Sequence, residues 1–244
     1  MPKPVLLNNV DHANLRVITR RGARFGDNQM AAATFPAEFR NVQACYPIVF
    51  RQTTDAIGFE PIALLGFQEE ENLFLDGERW DAVYIPMLIE RQPFLIGMGG
   101  ADGEELTVHI DIENPRVGFG DGEGEEVFKP HGGITDYLER VNSLLAAIHN
   151  GLQDTPAFVA ALQEHELLES FVLDVGLDDG SQNRLAGFYT INEDRLSALS
   201  GDAIAKLHAA GHLQAIYMVI ASLSNFRALI DRKNALLPNP YAHA

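Results

Sequence analysis

The chain has 244 residues, an ordinary apolar share of 46% and a formal net charge of −16. That length fits one large domain or two small ones around a shared core, and no apolar run approaches the ~20 residues that a membrane-crossing helix needs. So acidic a protein would repel a phosphate backbone, which argues against general nucleic-acid binding. The single cysteine, Cys45, excludes an intrachain disulfide.

The N-terminus, MPKPVLLNNVDH, lacks the apolar core of a secretory signal, so a cytoplasmic location is expected. Charge is uneven along the chain. The first 67 residues carry a net +2, while residues 68–127 set three Lys/Arg against sixteen Asp/Glu. Arg16, Arg20, Arg21 and Arg24 cluster in the first stretch and read as a solvated loop balancing acidic neighbours.

Residues 1–130 read as β-rich. In YPIVF (46–50), alternation puts Tyr46, Ile48 and Phe50 on one face of a strand, with Pro47 marking a strand start or an edge. Asp76-Gly77 is read as a two-residue hairpin loop, which would pair Leu75 with Glu78 and Leu73 with Trp80. Leu73, Leu75, Trp80, Ala82 and Tyr84 then share a core face. Further strands are expected near residues 94–98 and 106–112, separated by the turn-rich GGADG at 99–103. The Gly/Asp/Glu run at 118–126 reads as a solvated acidic loop, because it lacks the ligand alternation of a calcium-binding EF-hand loop.

Residues 131–244 change to a helical period with one hairpin. Leu138, Val141, Leu144, Leu145 and Ile148 recur every three or four residues, with Asn150-Gly151 as a stop and Thr155-Pro156 as a new helix start. A hairpin is expected to join residues 170–175 to 185–191 across Asp178-Asp179-Gly180. Short helices follow, broken at Gly211, and then a longer helix over 213–233. Its stripe of Leu213, Ile216, Tyr217, Ile220, Leu223 and Ile230 serves core packing or a homodimer interface. The fold class expected is therefore α+β, with both parts integrated around a shared core.

Four blocks carry a family resemblance: LLNNVDH (6–12), YPIVF (46–50), ENLFLDGERWDAVYIP (71–86) and RQPF (91–94). With them the chain resembles the SapC family of bacterial proteins, named for a surface-layer-associated component, and the pattern LSALSGDAIAKLHAAGHLQAIY (196–217) resembles it more weakly. The resemblance implies an accessory or binding protein rather than a structural coat. By family association it points to outer-membrane uptake receptors, flavin-dependent halogenases and cupin-like oxygenases as partner systems.

Candidate chemistry comes from the residues themselves. Trp80, Tyr84 and Arg91 combine stacking area with a fixed cation, the types that dominate binding hot spots. Glu38, Asn72 and His12 add polar groups in the same region, and Arg91 would pair with Glu38 or Glu90. His109-Ile110-Asp111 has the spacing at which a strand presents two ligands of an iron-binding facial triad, with His131, His149 or His165 as the third. No phosphate loop, dinucleotide fingerprint, nucleophile elbow or zinc helix is present, and no cofactor is expected. A non-catalytic binding protein is the leading expectation, and an iron-dependent enzyme using His109 and Asp111 is the alternative.

Overall fold

A computed structural model describes residues 3–54, 58–99 and 105–237. In chain order its strands are β1 (Pro4–Leu6), β2 (Leu15–Val17), β3 (Ala31–Ala33), β4 (Ile48–Gln52), β5 (Phe59–Leu64), β6 (Leu75–Asp76) and β7 (Arg79–Trp80). They continue as β8 (Phe94–Gly99), β9 (Glu105–Asp111), β10 (Val117–Phe119), β11 (Glu125–Glu126), β12 (Leu168–Gly176) and β13 (Gln182–Ile191). The helices are α1 (Phe39–Val42), α2 (Met87–Glu90), α3 (Asp136–Glu164), α4 (Glu193–Ser197), α5 (Gly201–Ala209), α6 (His212–Ser222) and α7 (Asn225–Ala235). The sheets are antiparallel and the long helices follow residue 135, so the fold is α+β, with β12 and β13 as the C-terminal hairpin. Of the turn expected at 99–103, all but Gly99 lies outside the described residues.

The chain forms two compact units, each from three stretches. Unit 1 takes Met1–Asp27, Leu75–Trp80 and Met87–Asn150, and unit 2 takes Asn28–Phe74, Asp81–Pro86 and Gly151–Ala244.

Unit 1 holds two three-stranded sheets, β1-β9-β8 and β10-β2-β11, and the small β6-β7 hairpin. Alternation along β9 buries Ile110, half-buries Val108 and leaves Leu106 exposed, so the strand enters the core toward its C-terminal end. Leu15, Val17, Phe94, Ile110, Val127 and Leu138 meet in one apolar cluster. Helix α3 starts where Thr135 accepts from the Leu138 amide at 3.3 Å, with Asp136 and Glu139 in its first turn favouring the positive helix end. Leu138, Val141, Leu145 and Ile148 form its buried stripe, as the period requires.

The β6-β7 hairpin corrects the expected register. Leu75 pairs with Trp80 and Asp76 with Arg79, so the loop is Gly77-Glu78 rather than Asp76-Gly77. The physical reason is Gly77, whose φ of 61° at the first loop position is what a type II′ connection demands. Leu75 and Trp80 still share a face.

Unit 2 is built on a five-stranded sheet of order β12-β13-β4-β5-β3. The strand read from YPIVF begins at Ile48, so Pro47 marks its start, one of the two expected readings, and β4 is central, which excludes the edge. Ile48, Val49 and Phe50 are all fully buried, which overrides the one-sided alternation read from the sequence. The hydroxyl of Ser222 accepts from the Ile48 amide at 2.8 Å and donates to the Val219 carbonyl at 2.6 Å, tying the start of β4 to α6.

Two helix boundaries also differ. Helix α3 runs unbroken through the expected stop at Asn150-Gly151 and the expected start at Thr155-Pro156. Gly151 serves close approach, not termination: a Cβ there would lie 2.1 Å from the Phe35 ring. Pro156 sits on the exposed face, while the Thr155 hydroxyl donates to the Gly151 carbonyl at 2.8 Å and Phe158, Val159 and Leu162 are fully buried.

The single helix expected over 213–233 is instead α6 and α7, interrupted at Leu223-Ser224. Ser222 and Ser224 bond back to the Val219 and Ala221 carbonyls, competing with the helical ladder at that point. Within the stretch His212–Ala235, an 18-residue window reaches a mean hydropathy of 1.4, enough to cross a membrane by length and composition, and a third of that window is buried. A core helix passes the same test, and here Ala215, Ile216, Val219, Phe226 and Leu229 are buried in the fold. Of the expected stripe, Ile216 is buried, Tyr217 is exposed, and Leu213, Ile220, Leu223 and Ile230 are half-buried.

Candidate functional site

The six residues singled out from the sequence fall in both units. Three lie in unit 2, and two of these meet: the Tyr84 hydroxyl donates to Glu38 Oε1 at 3.0 Å. The Thr34 hydroxyl donates to Glu38 Oε2 at 2.7 Å, and the Tyr46 hydroxyl donates to the Tyr84 carbonyl. Glu38 is only 1% exposed, so this network fixes the chain internally. Asn72 accepts from the Phe74 amide at 3.0 Å, which closes a local turn.

Within unit 2, Glu71, Phe74 and Asp81 are held from a direction the sequence did not disclose. Arg232 of α7 donates to Asp81 Oδ2 at 2.8 Å and the Asp81 carbonyl at 2.8 Å, and its guanidinium lies 4.4 Å from the Phe74 ring centroid. Lys233 pairs with Glu71, both side chains being 16% exposed. The only sequence sign was their place in the last turn of a helix.

His12, Trp80 and Arg91 lie in unit 1. His12 is buried, with Nδ1 3.2 Å from the Asn8 amide nitrogen and carbonyl oxygen, and Trp80 is 7% exposed. Arg91 does not form the expected carboxylate pair. It donates to the Phe94 carbonyl at 2.6 Å instead, and burial lowers its pKa.

A denser charged cluster in unit 1 escaped the sequence reading. Arg116 and Asp27 are 1% and 0% exposed and bond at 2.5 Å. Arg116 also donates to the Ile18 carbonyl at 3.1 Å and the Arg20 carbonyl at 2.5 Å, and it lies 4.9 Å from the Phe25 ring centroid. Asp27 accepts from the Gly22 amide at 2.8 Å and has Arg21 3.7 Å away. The rest of the basic cluster is matched by acid, as expected: Arg16 pairs with Glu126, Arg20 with Glu78 and Glu123, and Arg24 with Glu78. The acidic run is therefore better anchored than a free loop. Arg16 also bonds the Gly120 and Gly124 carbonyls at 2.9 Å, and Glu125–Glu126 forms β11.

Burial pushes the Tyr137 phenol up to about 12, against the opposing pull of Arg21 and Arg116. The folded state thus holds this proton more tightly than the unfolded chain, whose ordinary value is 10.0. The linked stability is fully present below pH 10 and is lost as pH rises to about 12. Thermal unfolding across that window should show a steeper decline for the native chain than for Tyr137→Phe; equal slopes would exclude the linkage.

Of the H-x-D pair of the iron alternative, Asp111 is engaged by backbone amides. Asp111 Oδ1 accepts from the Lys3 amide at 2.8 Å and the Glu113 amide at 3.2 Å. The His109 ring packs over Gly97, where a Cβ would come within 2.3 Å of it, and its buried Nδ1 has no hydrogen-bond partner among the described residues. No group of three or more His, Cys, Asp or Glu side chains among the described residues is placed to hold a metal ion, so none of His131, His149 and His165 completes a triad.

Unit 2 contains a cleft of about 590 Å³. The turn before α1, the C-terminal half of α3 and the α5–α6 junction form its walls. Arg40, Asp154, Phe158, His212, Gln214 and Met218 line it, and none of the six sequence-derived candidates does. Phe158 anchors the apolar wall, edge-on to Phe39 at 5.9 Å and to His212 at 5.5 Å between ring centroids. Burial lowers the His212 pKa, so the ring favours its neutral form. Arg40 and Asp154 are exposed at the cleft and form no ion pair among the described residues, with each other or with any other side chain. These residues come from three distant segments, and only the break at Gly211 marked one of them in the sequence.

The chain belongs to the SapC family, whose model matches residues 7–229. No curated protein and no solved structure matches it.

Proposed function

We propose that this SapC-family protein acts by binding rather than by turnover, as an accessory protein in the cytoplasm. It would serve a peptide, a surface component or a modifying enzyme linked to nutrient uptake. The observation that carries this reading is the 590 Å³ cleft of unit 2, within the ~300–1,000 Å³ range of ligand pockets. Its lining offers charge, an imidazole and the apolar side chains of Ala157 and Met218 together. Of the pair that the enzyme alternative would use, Asp111 accepts from backbone amides and the His109 ring packs over Gly97.

The site proposed therefore moves from Trp80, Tyr84 and Arg91 to the cleft. Ala157 is exposed and lines the cleft, so Ala157→Trp fills it without opening the core. Pull-down from the native host should lose at least about tenfold in captured partner with this variant, at unchanged circular dichroism, since a tenfold loss needs only ~1.4 kcal/mol. Undiminished capture by Ala157→Trp, together with loss by Arg91→Ala at an intact fold, would return the site to the Arg91 region.

A further inference from the structure

The chemistry of the cleft narrows what it holds. Two exposed side chains of opposite sign, Arg40 and Asp154, line the same space without pairing with each other or with any other side chain among the described residues. Exposed opposite charges gain little by pairing, typically below ~1 kcal/mol, so leaving both unpaired is not itself a strain. It does leave one cationic and one anionic group available to a ligand that spans the gap. The same cleft is lined by the exposed Ala157 and the half-buried Met218, while Phe158 is fully buried and held by its contacts with Phe39 and His212.

We infer that the unit 2 cleft binds a small zwitterion carrying an apolar side chain, with its carboxylate toward Arg40 and its ammonium toward Asp154. This deepens the binding reading above and rests on it. The guanidinium offers a planar donor fork matched to a carboxylate, and the Asp154 carboxylate accepts from an ammonium. Ala157 and Met218 take the apolar arm, and the amide of Gln214 and the ring of His212 supply further polar contacts. A free α-amino acid and a short peptide with both termini free share this chemistry. They differ in the distance between charges.

Titration calorimetry on the full chain distinguishes them, using L-leucine and the dipeptide Leu-Leu, each free, N-acetylated and C-amidated. The expected result is saturable binding of at least one free zwitterion, weakened about tenfold or more by either cap. Whichever of the two binds more tightly identifies the source. Arg40→Gln should erase the difference between the free and amidated forms, and Asp154→Asn the difference between the free and acetylated forms. Both positions are exposed, so the variants should keep the native melting temperature. The inference is overturned if neither free zwitterion binds, or if caps and variants leave affinity unchanged. If it fails while Ala157→Trp still abolishes partner capture, the cleft remains the binding site and its ligand is of another chemistry.

Discussion

Asp27→Ala should destabilise the protein by about 3–5 kcal/mol, the range for removing one partner of a buried ion pair. Asp27 is wholly buried, and its carboxylate answers Arg116, itself 1% exposed, while accepting from the Gly22 amide. Without it, Arg116 keeps a charge that no solvent reaches, and Arg21 adds a second cation close by. Chemical denaturation of native and variant chains would measure the loss. Added salt should recover little of it, because screening acts weakly on buried charge. Arg116→Met in the Asp27→Ala background should regain part of the stability by removing the orphaned charge. A loss below ~1 kcal/mol for Asp27→Ala would show that the pair is solvated and not buried.

Trp80→Ala is the second large effect. The ring is 7% exposed and faces Leu75 across the Gly77-Glu78 turn. Truncating so large a buried side chain typically costs about 3–5 kcal/mol, through lost transfer energy and the cavity left behind. Urea unfolding would read it as a lower midpoint at similar slope. A loss below ~1 kcal/mol with the fold intact would identify Trp80 as a recognition residue and sink its place in the core.

Trp80 also illustrates what was legible. The shared face of Leu75 and Trp80 follows from strand alternation and survived the error in loop position. The loop itself depended on whether Gly77 took the first or the second central position, and both are compatible with a two-residue hairpin. The β12-β13 hairpin was readable because Asp178-Asp179-Gly180 separates two runs of strand formers. The start of α3 was readable from the stripe beginning at Leu138.

The misread boundaries have a common cause. Gly151 and Thr155-Pro156 carry strong local helix-end signals, yet Phe35 packs against Gly151 and the buried stripe of Phe158, Val159 and Leu162 keeps the helix going. Tertiary burial overrode local preference. The candidate site was less legible still. Its chemistry lies in single residues from distant segments, such as Arg40, Asp154 and His212, and no local pattern links them. The same holds for Asp27 and Arg116, which are 89 positions apart.

The order of the five-stranded sheet has a consequence for biosynthesis. Strand β4 pairs with β5 as soon as both emerge, but its other edge waits for Phe188 and Tyr189 of β13. At ~5–20 residues per second of synthesis, that edge stays open for roughly 10–30 s on the ribosome. It presents Ile48, Val49 and Phe50, an apolar strand of the kind that templates association between nascent chains. Truncations ending before β13 should therefore aggregate rather than yield a soluble N-terminal fragment. Expression of the chain would then depend on how well ribosome-associated chaperones shield that edge until the second hairpin closes it.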